Sequence, residues 1–321
     1  MLHGQSRLMT DFDVVVVGGG AAGLSAALVL SRARRRVLVV DSGMPRNAPA
    51  SHMHGFLSRD GFSPSELIEL GREEVTGYGG QIVDASVTWV EALTTGFRVA
   101  LDSGLSVSAR RLLVATGLRD ELPEIPGLRS RWARDVLHCP YCHGFEVRDQ
   151  VLGVLGWAPG AADYAQIVRQ WSEDVVFLAS GGTLTEAERE GLTARSVAVV
   201  DGVVERVLAP DDRLLGVQLE DGQIVEFDAL FVPPRFVPND ALLVELGCDI
   251  DDNGWAVIDG TGRTSIPGVW VAGNVANARA QVITAAGEGS AAAIALNADL
   301  VTDDVARALA APEPASRIKT Y

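Results

Sequence analysis

The chain is built on short, nearly unbroken apolar runs rather than on alternation. Asp13–Val17, Val37–Val40, Leu112–Gly117 (LLVATG), Val151–Leu155, Val175–Ala179, Ala229–Val232 and Val269–Ala272 are of this kind. Such runs predict strands buried on both faces, as in a parallel sheet covered by helices. After the first run, small and apolar residues continue to Leu30 and predict a tightly packed helix. Arg32, Arg34, Arg35 and Arg36 close it where cations suit the helix dipole, and read as a solvated end. Ser63-Pro64-Ser65-Glu66 is a capping box with proline at the first helical position, so a second helix starts there. Hairpin turns are expected at Thr94–Gly96 and Asp102–Gly104.

The same order then repeats. Val151–Leu155 leads into a Gly/Pro turn at Gly156–Gly160 and a helix over Ala161–Trp171. Hairpin turns follow at Asp211–Asp212 and Asp221–Gly222. Residues 13–117 and 151–232 therefore read as two editions of one plan. The proline-rich segments ELPEIPG (Glu121–Gly127) and PPRFVPND (Pro233–Asp240) separate them and suit a hinge. The tail returns to the first style, with Gly273-Asn274 after a strand and a small-residue helix from Gln281 to about Leu300. The last twenty residues are polar and are expected to fray.

One loop gives this plan a ligand. Gly18, Gly20 and Gly23 form a G-x-G-x-x-G between a strand and a helix, with Ala22 inside it. Glycines there let the backbone approach a pyrophosphate at a helix N-terminus. The second strand ends in Asp41, followed by Ser42, near the spacing at which an acid accepts from an adenosine ribose. The expected fold is thus α/β, with two Rossmann-like, three-layer dinucleotide-binding domains, the second inserted into the first. The first comprises residues 11–122 and 237–321, and the inserted one residues 123–236.

Composition narrows the partners. The chain has 321 residues, enough for two modest domains, and a net charge of −15. That surface repels phosphate backbones and anionic lipid, so neither nucleic acid nor membrane is expected as a partner. No apolar run is long enough to span a bilayer. The N-terminal MLHGQSRLMTDFD has no secretory apolar stretch, so cytoplasmic residence is expected. Three cysteines are too few for a disulfide scaffold.

Two of those cysteines, Cys139 and Cys142, lie in HCPYCHGFE (His138–Glu146). A C-x-x-C can be half a zinc site, a glutaredoxin-like CPYC or a redox disulfide. Zinc wants four ligands; distant Cys248 and five histidines in the whole chain supply them poorly, and no metal is expected. About twenty residues separate ELPEIPG from the next strand, too few for a glutaredoxin domain. A pair at a helix start, with thiolates favoured by the dipole, fits a redox disulfide. Cys248, in a hydrophobic run, reads as a core thiol.

These motifs resemble those of the low-molecular-weight thioredoxin reductase family over nearly the whole chain. LLVATG, ending in Ala115-Thr116-Gly117, and TSIPGVWVAGN (Thr264–Asn274) match elements of flavoprotein reductases with two dinucleotide domains. The resemblance implies FAD in the first domain and a redox disulfide at the head of the second. It assigns Gly273 and Asn274 to the ribityl chain and flavin. Asn274 stands where the family usually has aspartate, and its amide oxygen can still accept. Gln281 and Val282 begin the helix whose N-terminus faces the flavin.

Within this group, Cys-Pro-Tyr-Cys-His-Gly is most similar to the dithiol oxidases that close disulfides in small natural products such as gliotoxin and holomycin. Thioredoxin reductases usually carry aspartate where this chain has His143. By this resemblance Cys142 is the flavin-proximal thiol and Cys139 the interchange thiol. His143 is the candidate base and His138 a weaker second one. His52 and His54 are expected on the flavin or substrate side.

The second glycine loop points the same way. It reads Gly156-Trp157-Ala158-Pro159-Gly160-Ala161, so a fingerprint glycine is lost and Pro159 offers no N–H. No arginine follows Leu178–Gly182 for a 2′-phosphate. The nicotinamide site is expected to be degenerate. The leading expectation is an FAD-dependent dithiol oxidase acting on a small-molecule dithiol, with O2 as acceptor. Next come a disulfide reductase using NADPH or another donor such as ferredoxin, and a non-enzymatic flavin-binding redox sensor. The resemblance also implies a homodimer.

Overall fold

The computed structural model describes residues 11–182 and 184–311. Residues 312–321 of the expected first domain, which are half of the polar tail, and the first ten residues of MLHGQSRLMTDFD lie outside them.

The chain forms two units. One comprises residues 1–45, 65–118 and 238–321, the other residues 46–64 and 119–237. The segment Arg46–Pro64 thus groups with the second unit, whereas the sequence assigned it to the first. The chain crosses between units at Pro45–Arg46, Pro64–Ser65, Leu118–Arg119 and Val237–Pro238.

The first unit begins with β1 (Asp11–Val17), α1 (Ala21–Arg32), β2 (Val37–Asp41), α2 (Pro64–Gly77) and β3 (Gln81–Asp84). A meander of β4 (Val87–Leu93), β5 (Gly96–Leu101) and β6 (Ser106–Val114) follows, and β7 (Leu118–Glu121) leads out. The second unit holds β8 (Val136–Leu137), α3 (Pro140–His143), β9 (Leu152–Leu155), α4 (Ala161–Val168), β10 (Val175–Ala179), α5 (Glu186–Ala194) and β11 (Ala198–Asp201). It ends with β12 (Val204–Leu208), β13 (Gly216–Leu219), β14 (Ile224–Glu226), β15 (Ala229–Phe231) and β16 (Arg235–Pro238). The first unit is completed by α6 (Ala241–Glu245), β17 (Val269–Val271) and α7 (Val282–Ala310).

The first sheet runs β3-β2-β1-β6-β5-β4, with β17 also on β6. Its β3, β2, β1, β6 and β17 pairings are parallel. The second sheet, β11-β10-β9-β15-β8, is parallel throughout, with β12-β13-β14 as a separate antiparallel piece. Each unit is therefore a Rossmann-like α/β fold with an antiparallel appendage. Val14 and Val16 face one core of the first unit, and Val15 and Val17 the other, which is why β1 shows no alternation. The proline-rich connectors contain a two-stranded ribbon, β7 with β16.

Three elements depart from expectation. Helix α4 stops at Val168, because Gln170 and Trp171 bond three residues back and tighten the last turn. Helix α7 runs ten residues past Leu300. Two of the arginines at the end of α1 are structural ties as well: Arg35 bonds Asp304 at 2.7 Å and Asn297 at 2.7 Å, and Arg36 pairs with Asp13, while Arg32 and Arg34 are exposed.

Candidate active site

The glycine loop of the first unit is shaped by close backbone contact. A Cβ on Gly18 would collide with the Ala115 carbonyl, and one on Gly23 with the Gly18 carbonyl. Gly20, the N-cap of α1, instead faces open space, with nothing within 4 Å of an added Cβ. That is a cradle a pyrophosphate can enter, so the residues fit a dinucleotide. Asp41 is mostly buried and already accepts from the Gly19 N–H at 3.0 Å, with Arg72 at 3.4 Å from its second oxygen. Each oxygen keeps lone pairs for a ribose.

Thr116 donates its hydroxyl to the Asn239 carbonyl at 2.7 Å, and Asn239 returns its amide to the Thr116 carbonyl at 2.9 Å. Gly117 lies in the left-handed region at φ 71°. Glu288 of α7 accepts from the Gly273 N–H at 2.9 Å and from the Asn277 amide at 2.6 Å. Gln281 is the N-cap of α7 and Val282 its first residue.

In the second unit Cys139 and Cys142 are disulfide-bonded, with Cα atoms 5.2 Å apart. Cys139 is the N-cap of α3 and Pro140 its first residue. The amides of Cys142 and His143 both donate to the Cys139 carbonyl at 3.0 Å. Helix α3 is a single turn, so any thiolate there relies on those few N–H groups rather than on a long helix dipole. Tyr164 donates its hydroxyl to the His138 carbonyl, and Tyr141 packs edge-on against Trp171 at 5.3 Å. A Cβ on Gly144 would press into the Trp171 ring, which requires glycine there.

His138 stacks 6.2 Å from Trp132 and meets the edge of Phe236 at 5.5 Å. Burial, with Arg46 adding to it and Asp120 opposing, pushes its pKa down to about 4. Arg46 is clamped by Asp120 through two bonds of 2.8 and 2.6 Å. His143 is also held below the ordinary imidazole range, chiefly by burial; Glu146 opposes the shift and His54 adds to it. His54 turns Nδ1 to Asp60 at 3.3 Å and Nε2 to Glu146 at 3.5 Å. The structure thus brings His54 to the C-x-x-C turn within the second unit. His52 stays exposed beside Ser51.

The second glycine loop is tied down at its start and open at its helix end, where Gly160, the N-cap of α4, has nothing within 4 Å of an added Cβ. Trp157 donates its indole N–H to the Pro233 carbonyl at 2.8 Å and packs on that unit's core. Ser180, where a phosphate-binding arginine was sought, is buried and accepts from the Val204 N–H at 2.9 Å. Cys248 is buried against Thr264, and burial raises its thiol. Among the described residues no group of three or more His, Cys, Asp or Glu could hold a metal ion. None of their helices is long and apolar enough to cross a membrane.

The sequence model described as pyridine nucleotide-disulphide oxidoreductase matches residues 12–289. The chain belongs to this family. Its thioredoxin reductase-like members bind FAD, and this chain is an FAD-binding oxidoreductase of that type. Thioredoxin reductase sirT of Leptosphaeria maculans is 29% identical over 315 residues, covering 92% of this chain and 96% of its own. The crystal structure of HlmI is 55% identical with a TM-score of 0.92, covering 94% of this chain and 96% of that one. The oxidoreductase from Agrobacterium tumefaciens is 36% identical at a TM-score of 0.86, covering 91% and 99%.

For this family member, reading the sequence missed Arg46, Asp120, Glu146, Asn239 and Glu288. Only Glu288 carried a signal: it is a lone acid in the small-residue stretch Thr284–Ala293.

Proposed function

We propose that this oxidoreductase is a dithiol oxidase that closes a disulfide in a small-molecule dithiol, with O2 as the final acceptor. One contrast carries the reading. An oxidised Cys139–Cys142 pair stands beside the neutral His143, while in the second glycine loop Ala158 replaces a fingerprint glycine, Pro159 offers no N–H and Trp157 is tied to the Pro233 carbonyl.

His143 takes the proton of a substrate thiol on a ring nitrogen. The thiolate attacks Sγ of Cys139; the S–S bond breaks and Cys142 leaves as a thiolate. The second substrate thiolate displaces Cys139, and the product departs as a disulfide, leaving both cysteines reduced. FAD, when bound, would supply the two-electron acceptor for reoxidation of the cysteine pair, with O2 as the final acceptor and peroxide as its product. Gly18, Gly20, Ala22, Gly23, Asp41 and Ser42 would hold one end of it. Ala115, Thr116, Gly117, Gly273, Asn274, Gln281 and Val282 would hold the rest. His138, kept neutral in its aromatic box, adjoins Cys139 and is the weaker second candidate to accept a thiol proton. The enzyme works in the cytoplasm as a homodimer.

Anaerobic titration of the flavin absorbance tests the proposal. A dithiol should bleach it and NADPH should not. Stoichiometric bleaching by NADPH would favour a disulfide reductase instead, a reading supported by relatives named thioredoxin reductase. Full-rate dithiol oxidation by Cys139→Ser would overturn both.

A further inference from the structure

Asn274 uses both hydrogens of its amide. Nδ2 donates to the Asn277 carbonyl at 2.9 Å and to the Ala280 carbonyl at 2.9 Å. Two carbonyls around one terminal atom fix which end of the amide is nitrogen, since an oxygen there would meet only oxygens. Oδ1 is then the outward end, without a hydrogen-bond partner among the described residues. The loop it ties, Gly273–Gln281, runs from β17 into α7 and is pinned from the other side by Glu288 through Gly273 and Asn277.

We infer that Asn274 is a positioning residue whose amide, which a carboxylate cannot replace, organises the loop Gly273–Gln281 for FAD. The donor side builds the loop; the acceptor side stays available to a hydroxyl of the cofactor. Aspartate keeps the acceptor and loses both donors. In Asn274→Asp the carboxylate stands against two carbonyl oxygens and two acceptors lose their partner. Its pKa therefore rises, because only the protonated form can donate to one of those carbonyls. The side chain that supplies more acceptor capacity should hold FAD less well, and the defect should fade as pH falls.

The inference concerns retention of FAD and does not rest on the dithiol reaction. It is tested on the full chain by measuring FAD affinity of wild type, Asn274→Asp and Asn274→Ala between pH 8 and pH 5. The melting temperature of each FAD-stripped protein is measured alongside. At pH 8 Asn274→Asp should bind FAD about tenfold more weakly than wild type, and approach it as pH falls. Asn274→Ala should be weakened without that pH trend. The stripped variants should melt a few degrees below stripped wild type, because the amide holds the loop before the cofactor arrives. Wild-type affinity for FAD in Asn274→Asp at pH 8 would overturn the inference. So would unchanged melting of the stripped variants. Should Asn274→Asp not fold, Asn274→Ser gives the answer. Its single donor should place it between wild type and Asn274→Ala, and equal affinity in all three would overturn the idea. None of these readouts uses thiol turnover, so their failure leaves the dithiol oxidase proposal standing, and the reverse also holds.

Discussion

Burial acts on two imidazoles of the redox turn, and each shift has a readable consequence. In the proposed reaction His143 works as a neutral base, so the rate falls only when the ring takes a proton. Burial holds that event below the ordinary value of 6.5, so the acid limb of kcat/KM for a dithiol should lie under 6.5. Glu146→Gln removes the charge that favours the protonated ring and should move the limb further down. His143→Gln should lower dithiol oxidation about 100-fold while leaving the flavin bound. For His138 the folded pKa of about 4 lies below the ordinary 6.5. Its contribution to stability is therefore complete above 6.5 and is lost as pH falls from there to about 4. The fall in melting temperature between pH 7 and pH 5 should be smaller in His138→Gln than in wild type. Cysteines and glycines were legible in the sequence because their chemistry demands one residue type at fixed spacing. Arg46–Asp120 was not, because nothing local marks a pair separated by 74 positions.

Helix α7 shows how far element patterns reach. Its small residues were legible; their purpose was not. Gly289 sits where a Cβ would collide with the Ala22 backbone of α1. Gly→Ala inside a helix normally stabilises by about 0.5–1 kcal/mol. Gly289→Ala should instead destabilise by about 1–3 kcal/mol, measured by denaturant unfolding. The last turns of α7 looked too polar to hold, yet Arg110 pairs with Asp303 and Asp304 and also with Asp13 of β1. Arg110 is held well above its ordinary pKa; burial opposes that shift, and the bonds to Asp303, Asp304 and Asp13 outweigh it. Arg110→Ala should raise hydrogen exchange over Asp303–Ala310, and more so at low salt, where the lost pairing is strongest. Helix α5 was missed because EAEREGLTA has no apolar stripe, although its Thr185–Glu188 capping box was there to read.

At the scale of the whole molecule, the repeat of one plan was the most legible feature, because parallel strands between helices leave unbroken apolar runs in any sequence. The discontinuous first unit also sets an order of assembly. Its core needs Trp270, Ala292, Ala293, Leu296 and Leu300, which are made after the entire second unit. During synthesis β1, β2 and β6 must therefore wait, with one side of β6 unpaired by β17, while the continuous run from Arg119 to Val237 is already complete on the ribosome. The part of the protein that emerges first is the part that finishes last, and in the interval its strand edges stay open.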